Sequence, residues 1–216
     1  MKLIYARAAC SLSVHILLEE LRVPYEVRRV SLKDKKILLT YNPRGYVPAL
    51  VLDDGTLLTE ATSILQYLSE THGGQFMPRG EFHRMKTREW LSFLSSELHK
   101  GVAPLFHRDG LKDEYLQWLV HRVNSRLSVL DEALEESPYL TGEYSIADMY
   151  ALAILRVVEH VGISLEEHVI LTRYKERLEA QPTIASVLRT EEEAPFTQER
   201  GARRPGGESY HEVLSP

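Results

Sequence analysis

Gly45-Tyr46-Val47-Pro48-Ala49-Leu50-Val51-Leu52-Asp53-Asp54-Gly55-Thr56-Leu57-Leu58-Thr59-Glu60 is the stretch that decides the fold. Ala49–Leu52 and Leu57–Thr59 are short apolar runs, and Asp53-Asp54-Gly55 between them is a turn signal, so the two read as a hairpin. Pro48 stands just before the first run, where a residue that cannot donate to a ladder is tolerated. From Glu60 the period changes. Ala61, Ile64, Leu65 and Leu68 share one helical face, so Glu60–Glu70 is expected to be a helix. Upstream, Lys2–Tyr5 suits a buried strand, and Val14, Leu17, Leu18 and Leu21 stripe a helix over Ser11–Leu21. Tyr25–Val30 follows the breaker Pro24 as a second strand, and strand–helix–strand implies a parallel crossover. A loop with one helical turn joins it to the hairpin.

Downstream, Thr71–Gly80 holds Gly73, Gly74, Pro78 and Gly80 without helical period and is expected to be a linker between domains. From about Glu81 to Glu193 the chain reads as helix. Trp90, Phe93, Leu94 and Leu98 form one stripe, and Val120, Val123, Leu127, Leu130 and Leu134 a second. A third, wider stripe of Ile146, Met149, Tyr150, Ala153, Ile154, Val157 and Val158 predicts a central buried helix. Ser145 with Asp148 at its start resembles a capping box, whose loss is expected to cost about 0.5–2 kcal/mol. The expected organisation is 1–72, 81–193 and an irregular tail over 194–216 rich in Gly, Pro, Arg and Glu.

The 216 residues include 44% hydrophobic side chains, enough for a sizeable core, so a disordered chain is excluded. Twenty-six basic against 31 acidic residues give a net charge of −5, which argues against a nucleic-acid partner. No apolar run approaches the roughly 18–20 residues that span a bilayer. One cysteine permits no internal disulfide, and a soluble cytoplasmic protein is expected. The nine histidines show no metal-ligand spacing, so no metal is expected. Phosphate-loop, dinucleotide and serine-hydrolase motifs are lacking.

Four places bear chemistry. Cys10, in Ala8-Ala9-Cys10-Ser11-Leu12-Ser13, opens the first helix; the free N–H groups and dipole there are expected to lower its pKa below about 8.5. Equally, it reads as a buried structural thiol. Ser11 and Ser13 read as N-caps. A cis Val47-Pro48 bond would turn the Val47 backbone toward a peptide-like ligand; an ordinary trans turn is the alternative. Glu60-Ala61 offers helix N–H donors for a carboxylate and an acceptor for an ammonium, or else Glu60 merely complements the helix dipole. His99, in Glu97-Leu98-His99-Lys100-Gly101, reads by itself as a boundary residue.

Taken in order, Ala9-Cys10-Ser11-Leu12, Asn42-Pro43-Arg44-Gly45-Tyr46-Val47-Pro48-Ala49-Leu50, Asp53–Glu60, Glu97–Gly101 and Ser145-Ile146-Ala147-Asp148 resemble the cytosolic glutathione S-transferases, most closely the bacterial beta class. The likeness spans about Met1 to Arg189. It implies an α/β thioredoxin-like N-terminal domain, an all-α C-terminal domain and a homodimer. It further implies an enzyme that binds glutathione and transfers its sulfur to a small electrophilic co-substrate. Thiol–disulfide exchange or peroxide reduction through Cys10 would stand beside this activity; the alternative is a non-catalytic or redox-sensing module.

Carried over residue by residue, the resemblance places Cys10 against the glutathione sulfur and His99 beside it as the catalytic residues. Val47 next to Pro48, with Tyr46, meets the cysteinyl unit, Glu60-Ala61 the γ-glutamyl end and Lys35 the glycine carboxylate. The chain departs from the pattern at Ala61, where many relatives carry Ser. It departs again at Ser92, where an asparagine often reaches the partner's site, and over a shortened Lys33–Tyr41 segment. Tyr5 reads as structural. Ala8, Leu105 and Phe106 are the apolar candidates for the co-substrate wall.

Overall fold

A computed structural model describes residues 1–194, so the tail expected over 194–216, Phe196 and Tyr210 included, lies outside the described residues from 195 onward. The chain opens β1(Lys2–Tyr5), α1(Ser11–Leu21), β2(Glu26–Arg29), α2(Lys35–Tyr41), β3(Ala49–Val51), β4(Leu57–Thr59) and α3(Ala61–Thr71). The sheet order is β2-β1-β3-β4. β1 and β2 run parallel, as the crossover requires, and β3 runs antiparallel to both β1 and β4. Where one helical turn was expected before the hairpin, α2 is seven residues long, because Asp34 caps it with a 3.1 Å bond from the Ile37 N–H.

Period-two alternation splits β1 between two cores. Ile4 and Ala6 join Val30, Leu38, Val47 and Ala49 beneath α2, while Leu3 and Tyr5 face the other way with Leu50. That second, larger core receives α1 and α3 and continues without a break into the helical part of the chain. There the order is α4(Glu81–Phe93), a π-helical turn Leu94–His99, α5(Lys100–Val102), a 3-10 stretch Ala103–Gly110, α6(Asp113–Ala133), α7(Ile146–His160), α8(Val169–Glu179) and α9(Pro182–Glu193). α7 is buried along nearly its whole length, as its wide stripe predicts, and it packs against both α1 and α3. The buried His15 ring lies 2.9 Å from the Glu191 carboxylate, tying α1 to α9.

The capping box at Ser145 is present, and it is larger than a cap. Asp148 accepts from the Ser145 N–H and hydroxyl at 2.9 Å each, from the Leu140 N–H at 3.0 Å and from the Tyr174 hydroxyl at 2.8 Å. One carboxylate therefore fixes the loop before α7, the helix start and α8. At α1 the expected serine caps are absent. Cys10 holds the N-cap position, Ser11 exchanges 3.2 Å bonds with both backbone groups of Ala6, and Ser13 donates back to the Cys10 carbonyl at 2.7 Å.

Candidate functional site

A cavity of about 310 Å³ lies where the sheet's loops meet the helices. The β1–α1 loop contributes Ala8, Ala9 and Cys10, and the loop before β3 contributes Tyr46, Val47 and Pro48. Glu60, Ala61 and Thr62 come from the start of α3, Ser95, His99 and Lys100 from the π-helical turn and its exit, and Tyr150 and Val157 from α7. Leu32 and Phe106 complete an apolar wall. The Val47-Pro48 peptide is cis, which the local sequence left open.

Cys10 is only 6% exposed, and its thiol points to the Val47 carbonyl at 3.8 Å. Burial pushes its pKa up to about 12, with Glu60 adding a smaller push; its own N–H and Lys100 pull the other way. This reverses the expectation of a lowered pKa. The N–H groups of Leu12 and Ser13 already bond to the carbonyls of Ala9 and Cys10, so they do not turn toward sulfur. The nearest polar partner is an acceptor, which favours S–H over a thiolate.

Glu60 sits at the N-cap of α3 with φ +68°, a left-handed conformation that a non-glycine residue holds only under constraint from its surroundings. Its carboxylate does not cap the helix; it accepts from the Tyr46 hydroxyl, with Arg44 at 4.0 Å. Tyr46 is held protonated by that bond first and by burial second. First-turn N–H groups of a helix lack intrahelical partners, and the cavity-lining Ala61 and Thr62 carry two of them. The mouth thus offers a carboxylate beside backbone donors. Deeper in, His99 Nδ1 lies 3.0 Å from the Tyr150 hydroxyl, and burial, then Lys100, push the imidazole down to about 4. The ring is neutral at neutral pH. Among the described residues no group of three or more His, Cys, Asp or Glu side chains is arranged to hold a metal ion.

Comparison with known proteins bears on this geometry. Residues 9–71 match the family model described as glutathione S-transferase, N-terminal domain, and residues 93–182 match its C-terminal domain. Glutathione S-transferase GstA of Escherichia coli O157:H7 is 36% identical over 199 residues, covering 88% of this chain and 98% of that one. The chain belongs to the glutathione S-transferase family. A sphingomonad glutathione S-transferase solved in complex with glutathione superposes with a TM-score of 0.83 at 34% identity, covering 90% of this chain and all (100%) of that one. The bacterial beta-class enzyme of Sphingomonas chungbukensis gives 0.81 at 35%, over 88% and 98% of the two chains. The architecture is that of the glutathione S-transferases, a thioredoxin-like sheet domain followed by helices.

Of the residues that the family resemblance singles out, Cys10, Tyr46, Val47, Pro48, Glu60, Ala61 and His99 line this transferase's cavity together. Lys35 does not. It is exposed at the start of α2, with its ammonium 3.5 Å from the Gly45 carbonyl. Ala8 and Phe106 are in the wall, whereas Leu105 is buried in the helical core. Tyr5 is fully buried away from the cavity, and Ser92 lies outside it in a groove between α3 and α4 that borders the cavity at Thr62 and Ser95. Sequence reasoning missed Ser95 and Tyr150 as cavity residues. Tyr150 was legible in part, since a tyrosine in an otherwise aliphatic stripe needs a partner for its hydroxyl. For Ser95 there was no signal, because nothing in the local pattern announces a π-helical turn.

Proposed function

We propose that the cavity binds glutathione and that the protein transfers its sulfur to small apolar electrophiles. The observation that carries this reading is the convergence of Glu60, the α3 N-terminus, the Val47 backbone and Cys10 beside an apolar wall of Ala8, Leu32, Phe106 and Val157. Glutathione is a peptide with an ammonium and a carboxylate at its γ-glutamyl end. Glu60 matches the first and the N–H groups of α3 match the second. The cysteinyl unit then runs past Val47, which brings its sulfur to Cys10 and His99. In this reading residues 1–72 hold the tripeptide and 81–193 supply the co-substrate wall.

The nucleophile is the glutathione thiolate itself. A neutral Cys10 thiol stabilises it as a hydrogen-bond donor, so conjugation leads, and disulfide exchange or peroxide reduction through a Cys10 thiolate is secondary. Glu60→Ala is expected to weaken glutathione binding by about 1–3 kcal/mol, the cost of losing a charged hydrogen-bond partner. Calorimetric titration checks this, and unchanged affinity would leave Glu60 as Tyr46's partner only.

The reading extends to detoxification in the cytoplasm and to a homodimer. Among described residues no helix is long and apolar enough to cross a membrane. The dimer is favoured by Tyr67, Phe82 and Met85, which stand exposed on α3 and α4, Phe82 at 71% and Met85 at 55%. Arg84 and Arg88 of α4 both reach Glu70 of α3, which ties together the two helices that carry these side chains. Sedimentation at micromolar concentration is expected to show a dimer, whose interface buries more than about 1,000 Å² in total. A monomer would remove the reason for an open apolar face.

A further inference from the structure

We propose that Tyr150 is a positioning residue that fixes His99 as its Nε2–H tautomer, so that His99 presents a hydrogen-bond donor, and not a base, to the sulfur and co-substrate in the cavity. The placement of that donor beside reacting atoms rests on the function proposed above; the tautomer itself does not.

Tyr150 and His99 come from positions 51 residues apart and meet in the cavity wall, with ring planes 81° apart and the phenol oxygen 3.0 Å from Nδ1. A bond between these atoms runs in one of two directions. Either the phenol donates to Nδ1, leaving the imidazole proton on Nε2, or Nδ1–H donates to the phenol and Nε2 is left as a base. The protonation of both groups and their relative donor strengths select the first. The Tyr150 side chain is 2% exposed, and its burial holds the phenol protonated, so it carries a proton to place. A phenol O–H is a stronger donor than an imidazole N–H, and an imidazole nitrogen a stronger acceptor than a phenol oxygen, so across 3.0 Å the proton belongs to Tyr150 and the lone pair to Nδ1. The imidazole is neutral, which leaves one ring nitrogen free to accept.

The other groups acting on His99 fit this arrangement. Lys100, beside it in the wall, opposes a charged ring, and the Glu60 carboxylate, which favours one, is outweighed by burial. The Cys10 thiol faces the same space. The π-helical turn explains how the parts come together. Its Lys100 N–H reaches back five residues to the Ser95 carbonyl, and the turn presents both Ser95 and His99 to the cavity that Tyr150 lines. With Nδ1 occupied by Tyr150, Nε2–H is the imidazole's remaining polar group.

The test is NMR of protein labelled in its histidine nitrogens, with His99 identified by the signals lost in His99→Asn. Long-range proton–nitrogen couplings at neutral pH are expected to show a protonated Nε2 and a bare Nδ1. In Tyr150→Phe, which keeps the buried ring and removes the hydroxyl, the two tautomers are expected to mix. The same variant is expected to lose about tenfold in kcat for conjugation of chlorodinitrobenzene, the size of one net hydrogen bond to the transition state, with KM for glutathione little changed. A protonated Nδ1 in the unmodified protein overturns the proposal, as does an unchanged tautomer in Tyr150→Phe. A calorimetric glutathione titration separates the two readings: failure of the unmodified protein to bind sinks the proposed function while the tautomer measurement still decides Tyr150.

Discussion

Asp148→Ala is expected to lower the unfolding free energy by about 3–5 kcal/mol, well beyond the loss of an ordinary helix cap. The carboxylate is fully buried and accepts four hydrogen bonds, from two backbone N–H groups and two hydroxyls. Removing it strands the Ser145 and Leu140 N–H groups and the Tyr174 hydroxyl, each a buried donor costing about 1–3 kcal/mol when left unmade, with some relief as the site relaxes. Burial raises the Asp148 pKa against the pull of those donors. Ser145→Ala removes one donor and one acceptor together and is expected to stay near the usual cap value of about 0.5–2 kcal/mol. Urea unfolding monitored by circular dichroism measures both. Equal losses for the two variants would reduce Asp148 to a helix-capping residue and deny its tie to α8.

A second expectation concerns rate. Free in solution, Cys10 would be an ordinary thiol; in place, its pKa near 12 cuts the thiolate fraction at neutral pH about a thousandfold. A more basic thiolate is also a better nucleophile, by about 20-fold over that interval, so reaction with a disulfide reagent is expected to run about 50-fold slower than for free cysteine. The rate should climb about tenfold per pH unit up to that pKa, since only the thiolate attacks. Exposure to oxidised glutathione should give a slow, single adduct, because Cys10 is the chain's one cysteine. Stopped-flow kinetics and mass spectrometry read both. For conjugation, Cys10→Ser retains a donor to the glutathione sulfur and Cys10→Ala does not. The alanine variant is therefore expected to lose about 0.5–1.5 kcal/mol of transition-state stabilisation, a threefold to tenfold drop in kcat/KM, and the serine variant less. Reaction of Cys10 at or above the speed of free cysteine would overturn the raised pKa.

Much of the fold was legible because its signals are local. The Asp53-Asp54-Gly55 turn specifies the β3–β4 hairpin, and the breaker Pro24 separates α1 from β2. Ser145 and Asp148 mark the start of α7 through groups three residues apart. The wide stripe over Ile146–Val158 announced a helix without a solvent face, and α7 is that helix. α2 fell short in the reading because its stability comes from the Asp34 cap and from Leu38 packing beneath the sheet, and seven residues carry little period.

The candidate site divides along the same line. Sequence alone determined which residue types stand at the ends of which elements: a thiol before α1, Val47-Pro48 before β3, an acid before α3. It also determined that a peptide-like ligand suits them. Tertiary structure alone decided their chemical state. The Cys10 thiol is kept protonated by its burial against the Val47 carbonyl and by Glu60, 37 and 50 positions along the chain. Lys35 turns to the Gly45 carbonyl and away from the cavity, and Tyr150 finds His99 across two helical segments. Element boundaries follow from the periods and turn chemistry of adjacent residues. Ionisation and hydrogen-bond direction depend on desolvation and on distances of a few ångströms between groups remote in the chain, and those distances exist only once the helices have closed over the sheet.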